Sequence, residues 1–189
     1  MKIILGAGNT TQDGWISLQE DELNMLKEED FQKYAKKNEV DAFLSEHVFE
    51  HLNEHDGRIA ATNIFKYLKP GGYIRVAVPD KNFENDKYQN IVKIGGPGPI
   101  DHPAASHKIV YDYSLLKDVF ESAGFTVNLL EYCDEYKNYH YKYWNEDDGK
   151  IGRSYRFDTR NFDNTLGFTS IIMDAHKPLI IKHDVYSKM

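Results

Sequence analysis

The sequence predicts an α/β fold: a doubly wound, Rossmann-like sheet, mostly parallel, with an antiparallel C-terminal strand and an abbreviated first crossover. Three observations predict it. Short β-type runs occur at residues 2–5, 15–18, 40–44, 73–78, 126–130 and 169–173, and several are almost continuously apolar, as in strands covered on both faces. Helical patterns alternate with them, which is the order of a parallel sheet with crossover helices. The last two runs have no long helical pattern between them, so they read as an antiparallel pair attached to the sheet.

Each element follows from its residues. The run 2–5 ends at Gly6, and residues 7–14 alone separate it from the second run, whereas a parallel crossover normally needs about a dozen or more residues. The first connection is therefore expected to be short and irregular. Across residues 58–68, Ala61, Ile64, Phe65 and Leu68 fall at i, i+3, i+4 and i+7, an apolar stripe for packing on the sheet. Lys69-Pro70-Gly71-Gly72 stops that helix and reverses the chain into the run at 73–78. A second helix over 114–123 carries Leu115, Leu116, Val119 and Phe120 on one face and ends at Gly124.

Two stretches lack a clear period. Residues 80–113 include Gly95-Gly96-Pro97-Gly98-Pro99, His102 and His107, and their place after a strand end suits a lid to which Asp101, His107, Lys108 and Tyr111 contribute. Residues of about 134–165 read as a loop or hairpin excursion. There Tyr139, His140, Tyr141, Tyr143 and Trp144 precede Arg153, Arg156 and Arg160, a grouping that serves either a sugar, nucleotide or phosphate, or an ordinary surface or homodimer contact.

Length and charge bound the function. A chain of 189 residues fits one domain, 1–189. Its 30 acidic against 23 basic residues disfavour nucleic acid and anionic membrane as partners and leave a small molecule or a protein surface. Cys133 is the single cysteine, so no intrachain disulfide forms. With neither a signal-peptide pattern at Met1-Lys2-Ile3 nor a membrane-spanning run, the expected location is cytoplasmic.

Leu5-Gly6-Ala7-Gly8-Asn9, Gly14-Trp15-Ile16, Ser45-Glu46-His47-Val48-Phe49-Glu50-His51-Leu52 and the run from Tyr67 through Lys69-Pro70-Gly71-Gly72 to Pro79-Asp80 occur in that order. Together they resemble the landmarks of class I S-adenosylmethionine-dependent methyltransferases, and most closely the short bacterial group with EHV-x-EHL and YLKPGGYIRIAVPD-like segments. The resemblance implies S-adenosyl-L-methionine as cofactor and methyl transfer to an acceptor that the residues do not specify. It implies that Gly6, Ala7 and Gly8 approach the cofactor's amino-acid portion and sugar. Gln19 stands where the family has an acidic residue for the ribose, with Glu20 beside it. Asp30-Phe31 matches the pair that contacts adenine in relatives, while Asp30 alone also suits a helix N-cap. Ser45 and Glu46 border the cofactor, and His47 is the first expected base, followed by Glu46 and His107.

Other readings compete. Gly6-Ala7-Gly8 begins a dinucleotide fingerprint, but Thr11 replaces its third glycine and no helix pattern follows. His47-Val48-Phe49-Glu50-His51 also matches the H-x-x-E-H signature of zinc hydrolases, in which two histidines on one helical face bind the ion. Methyl transfer itself requires no metal, and the expected metal set is none. A non-catalytic binding protein on the same fold is the reading from a different class.

Overall fold

A computed structural model describes residues 1–97, 100–163 and 165–179. Gly98 and Pro99 of the glycine-proline run, and Asn164 near the end of the excursion, lie outside the described residues. The expected strands all form, and a further one joins them: β1 (Lys2–Leu5), β2 (Trp15–Leu18), β3 (Val40–Glu46), β4 (Leu68–Val78), β5 (Thr126–Cys133), β6 (Tyr139–Tyr141) and β7 (Ile171–His176). They make one sheet in the order β2-β1-β3-β4-β7-β5-β6. β1 pairs in parallel with β2 and β3, and β3 with β4. β7 inserts antiparallel between β4 and β5, and β6 folds back antiparallel on β5.

The short first connection is parallel, in register from Lys2 opposite Trp15 to Leu5 opposite Leu18. It turns without a helix because Gly6, Gly8 and Gly14 take φ of +58°, +54° and +79°, a region that costs side-chain-bearing residues about 1–2 kcal/mol. The Lys69-Pro70-Gly71-Gly72 segment behaves differently from a plain helix stop. Leu68 already pairs with Val40, and the ladder resumes only at Tyr73 opposite Ala42, so the turn is a bulge inside β4.

The helices are α1 (Glu28–Gln32), α2 (Glu54–Tyr67), α3 (Asp86–Val92) and α4 (Tyr113–Glu121). α2 begins before its apolar stripe because the Asn53 side chain accepts the Asp56 N–H at 2.8 Å and acidic residues fill the first turn. Asp112 caps α4 through the Leu115 N–H in the same way. Phe31 of α1, Ala61 and Ile64 of α2, and Leu116, Val119 and Phe120 of α4 pack with Ile3, Leu5, Phe43, Ile74 and Val76 in one core layer. Each such large side chain contributes roughly 1.5–3 kcal/mol by leaving water.

The other face departs from the expectation of helices on both sides. Ile4, Ala42, Leu44, Ala77 and Ile172 are covered by Trp15, Trp144 and Ile151, with Phe157 at the margin. Residues 6–14 are too few to carry a crossover helix, and the excursion supplies the cover instead. Two buried charges hold it down. The Arg75 guanidinium donates to both Asp174 oxygens at 2.8 and 2.9 Å and to the carbonyls of Asn145 and Gly149 at 2.8 Å. The Glu131 carboxylate accepts from Trp144 Nε1, the Tyr139 hydroxyl and the Tyr155 N–H. No helix among the described residues is long and apolar enough to cross a membrane.

Candidate functional site

A cavity of about 570 Å³ opens at the C-terminal ends of β1, β2 and β3, where ligands lie in open α/β sheets. Its polar end is built from the loop after β1 and the residues after β2. Gly6 is demanded by packing as well as by conformation, since a Cβ there would lie 2.8 Å from Val48 Cγ2. Gly8 is different: a Cβ would meet nothing within 4 Å and would project into open space beside the cavity. Leu23, Met25, Leu26, Val48 and Leu52 supply an apolar wall.

Gln19 has a role that sequence reading missed. Its side-chain oxygen accepts the Gly8 N–H at 3.0 Å and its NH₂ donates to the Gly8 carbonyl at 2.9 Å, so the amide splints the glycine loop. The neighbouring Glu20 is exposed on the cavity rim and is the acidic group that remains there.

Several expected site residues are placed elsewhere. Ala7 is buried in the core layer under the excursion, away from the cavity lining. Phe31 stacks on Tyr67 with ring centroids 4.9 Å apart and meets Phe43 edge-on, inside the core. Asp30 borders a surface hollow that adjoins the cavity through Gln19, Glu20 and Asn24, and its carboxylate is occupied by Lys33 Nζ and the Asn24 N–H. The hydrogen bond from Lys33, then that from Asn24, hold it below the usual carboxylate range. Lys27, not Asp30, is the N-cap of α1. Ser45 is fully buried in β3. Glu46 accepts the N–H groups of Gly152 and Arg153 at 3.2 and 2.7 Å, which ties the excursion to the end of β3 and uses both its oxygens.

His47 does line the cavity, but the geometry corrects its reading as a free base. The residue sits at φ +56°, and its N–H bonds the Ala77 carbonyl. Nε2 lies 2.8 Å from Ser170 Oγ, and that hydroxyl spends its single proton on the Arg153 carbonyl, so Nε2 must be the donor. Nδ1 stands 3.2 Å from Glu50 Oε1. Nε2 is thus held by Ser170, and Nδ1 stands against the buried Glu50 carboxylate.

Glu50 is fully buried under the cavity floor. Burial alone would raise its pKa, but the charge of His47 and its contact outweigh that and hold the carboxyl below its ordinary value. His51 lines the cavity, and burial lowers its pKa, favouring the neutral ring. His107 is buried, with Nδ1 2.9 Å from the Val92 carbonyl and Nε2 3.9 Å from Glu50 Oε1. The H-x-x-E-H helix is not formed: Phe49–His51 is a single 3₁₀ turn, and His47 precedes it in a left-handed conformation, so the two histidines share no helical face.

From the long connection, Ser106 and Lys108 reach the cavity, while Tyr111 belongs to the main core and Asp101 is exposed away from the lining. Arg153 reaches Glu46 at the end of β3, and the other two arginines brace the excursion and the segment after it. Arg156 lies over Tyr143, Trp144 and Phe157, and Arg160 pairs with Asp158 over the Phe168 ring. Of the lining, Gly6, Gly8, Gln19, Glu20, His47, Val48, His51 and Leu52 belong to the landmarks read from the sequence. Leu23 to Leu26 and Ser106 carry none, because a loop wall needs no fixed period.

Residues 12–76 match a family described as a methyltransferase domain. No curated protein is significantly similar in sequence. Among solved structures, a SAM-dependent methyltransferase of Archaeoglobus fulgidus is 14% identical with a TM-score of 0.53, over 93% of this chain and 85% of the other. A complex of the Haloferax volcanii Trm112 methyltransferase activator with a methyltransferase gives 13% identity, a TM-score of 0.53, and coverage of 96% and 83%. A SAM-dependent methyltransferase of Thermotoga maritima gives 14%, 0.50, 94% and 73%. At these identities the likeness is one of fold. The methyltransferase-domain match spans residues 12–76, about a third of the chain, and the sheet is the fold that these SAM-dependent methyltransferase structures share.

Proposed function

We propose that the protein transfers the methyl group of S-adenosylmethionine to a small-molecule acceptor, and that one cavity takes both reactants. The observation carrying this reading is a single cavity lined both by Gly6, Gly8 and Glu20 and by His47, His51, Ser106 and Lys108; we assign the first set to the cofactor end and the second to the acceptor end. The first end suits the cofactor's amino-acid portion and sugar, with Glu20 in place of Gln19 as ribose partner and the Leu23–Met25–Leu26 wall against adenine. The second end suits a polar acceptor, sugar-like molecules included. Methyl transfer is an in-line displacement at the sulfonium-bound carbon, so alignment of the two reactants is the protein's main task. A net charge of −7 argues against a nucleic-acid acceptor. The same reading puts the enzyme in the cytoplasm, with the lone thiol of Cys133 buried.

Calorimetric titration with S-adenosylmethionine and S-adenosylhomocysteine, with NAD as control, tests the proposal. Saturable one-to-one binding of the first two is expected. Failure to bind either would replace the enzyme with a binding protein that kept the fold.

A further inference from the structure

Methyl transfer leaves the surroundings of Glu50 unexplained. The side chain is fully buried, its close neighbour is His47 Nδ1 at 3.2 Å from Oε1, and neither carboxylate oxygen has a hydrogen-bond partner among the described residues. Buried carboxylates are normally paired, hydrogen-bonded or bound to a metal. Two imidazoles from different parts of the chain converge on this one. Glu50, His51 and His107 each offer a ligand atom, and these atoms lie within 4.8 Å of one another. Ligand atoms around a tetrahedral ion at about 2.0–2.1 Å stand about 3.3 Å apart, so modest side-chain rotation closes the set.

Hydrogen bonds fix the tautomer of both rings. His107 gives its Nδ1–H to the Val92 carbonyl, which leaves the Nε2 lone pair facing Glu50. Ser106 Oγ donates to the Pro103 carbonyl and so accepts from His51 Nδ1, which leaves the lone pair of His51 on Nε2. Hydrogen bonds of this kind fix the tautomer of metal-binding histidines. Glu50 and His107 are buried, whereas His51 also lines the cavity, so the group opens toward the cavity.

We propose that Glu50, His51 and His107 hold one divalent transition-metal ion whose open coordination positions face the cavity. Two imidazoles, a carboxylate and open positions suit zinc and its first-row neighbours. The ion would then select acceptors that present an oxygen or nitrogen lone pair, a consequence that rests on the methyltransferase reading; the metal site itself does not.

The test uses the full chain, stripped with chelator and titrated with Co²⁺ by visible absorption, then with Zn²⁺ in competition. One equivalent of Co²⁺ is expected, with a d–d band that Zn²⁺ abolishes. Glu50→Gln and His51→Ala should each weaken uptake at least tenfold, with circular dichroism reporting the intact fold, and His140→Ala at the exposed His140–Asp134 pair should leave it unchanged. Wild-type protein without a saturable equivalent overturns the proposal, as does uptake that both variants retain. The titration contains no S-adenosylmethionine, so loss of Co²⁺ uptake with cofactor binding intact rejects the metal site alone, and the converse rejects the methyltransferase reading alone.

Discussion

Gly8→Ala separates the conformational demand of the glycine loop from its demand for open space. Gly8 and Gly14 both have positive φ, +54° and +79°, and at neither would an added Cβ meet a heavy atom within 4 Å. The backbone cost of alanine is therefore similar at both sites, about 1–2 kcal/mol. For a domain of this size that lowers Tm by roughly 2–8 °C, the same at each within error. The two sites differ in what the methyl group enters. Gly8 lines the cavity, whereas Gly14 does not. Gly8→Ala should weaken S-adenosylhomocysteine binding at least tenfold, about 1.4 kcal/mol, and Gly14→Ala should leave it unchanged. Gly6→Ala carries the same backbone cost plus the 2.8 Å clash with Val48, worth about 1–3 kcal/mol more, and should show the largest loss of Tm. Differential scanning fluorimetry and calorimetry on the three variants give both quantities. Equal affinity for the cofactor product in Gly8→Ala and Gly14→Ala would refute the placement of the cofactor beside Gly8.

Further outcomes follow from other contacts. Gln19→Ala removes both bonds to Gly8, each worth about 1 kcal/mol at most, so S-adenosylhomocysteine affinity should fall by up to about thirtyfold; an unchanged Kd would show that the loop needs no splint. Arg75→Met strands Asp174 under Trp144 and should cost about 3–5 kcal/mol in urea unfolding, whereas Arg75→Met combined with Asp174→Leu should recover most of it; equal loss in single and double variants would count against a stranded charge as the cause. Burial pushes the Asp80 carboxyl up to about 6, so the folded state holds its proton where the unfolded chain, near 3.8, has lost it. Its contribution to stability is accordingly full below pH about 4 and declines by roughly 3 kcal/mol as pH rises through 6. A carbon-13 titration of Asp80 with its midpoint below 4 would contradict this. Asn53→Ala should cost about 1 kcal/mol through loss of the α2 cap, read as a fall in the urea midpoint at unchanged slope.

The sequence by itself determined six of the seven strands, the α2 stripe, the short first connection and the glycine loop, because each is written in a local period or in residues with unusual backbone freedom. Ala61 and Ile64 are buried where a 3.6-residue repeat puts them, while Leu68, the last residue of the stripe, is already in β4. Tertiary structure decided which way each strand-end side chain points and what it meets. Ser45 and Glu46 are adjacent in the motif, yet alternation along β3 sends them to opposite faces, one into the main core side and the other to the excursion. Likewise Gln19 stands at the family's ribose position but is consumed by Gly8, and Phe31 is drawn into the core by Tyr67. The meeting of Glu50, His51 and His107 depends on a 3₁₀ turn after β3 and on a loop that returns from beyond β4. No spacing in the chain encodes that meeting, since it arises from two separate segments packing at the same end of the sheet.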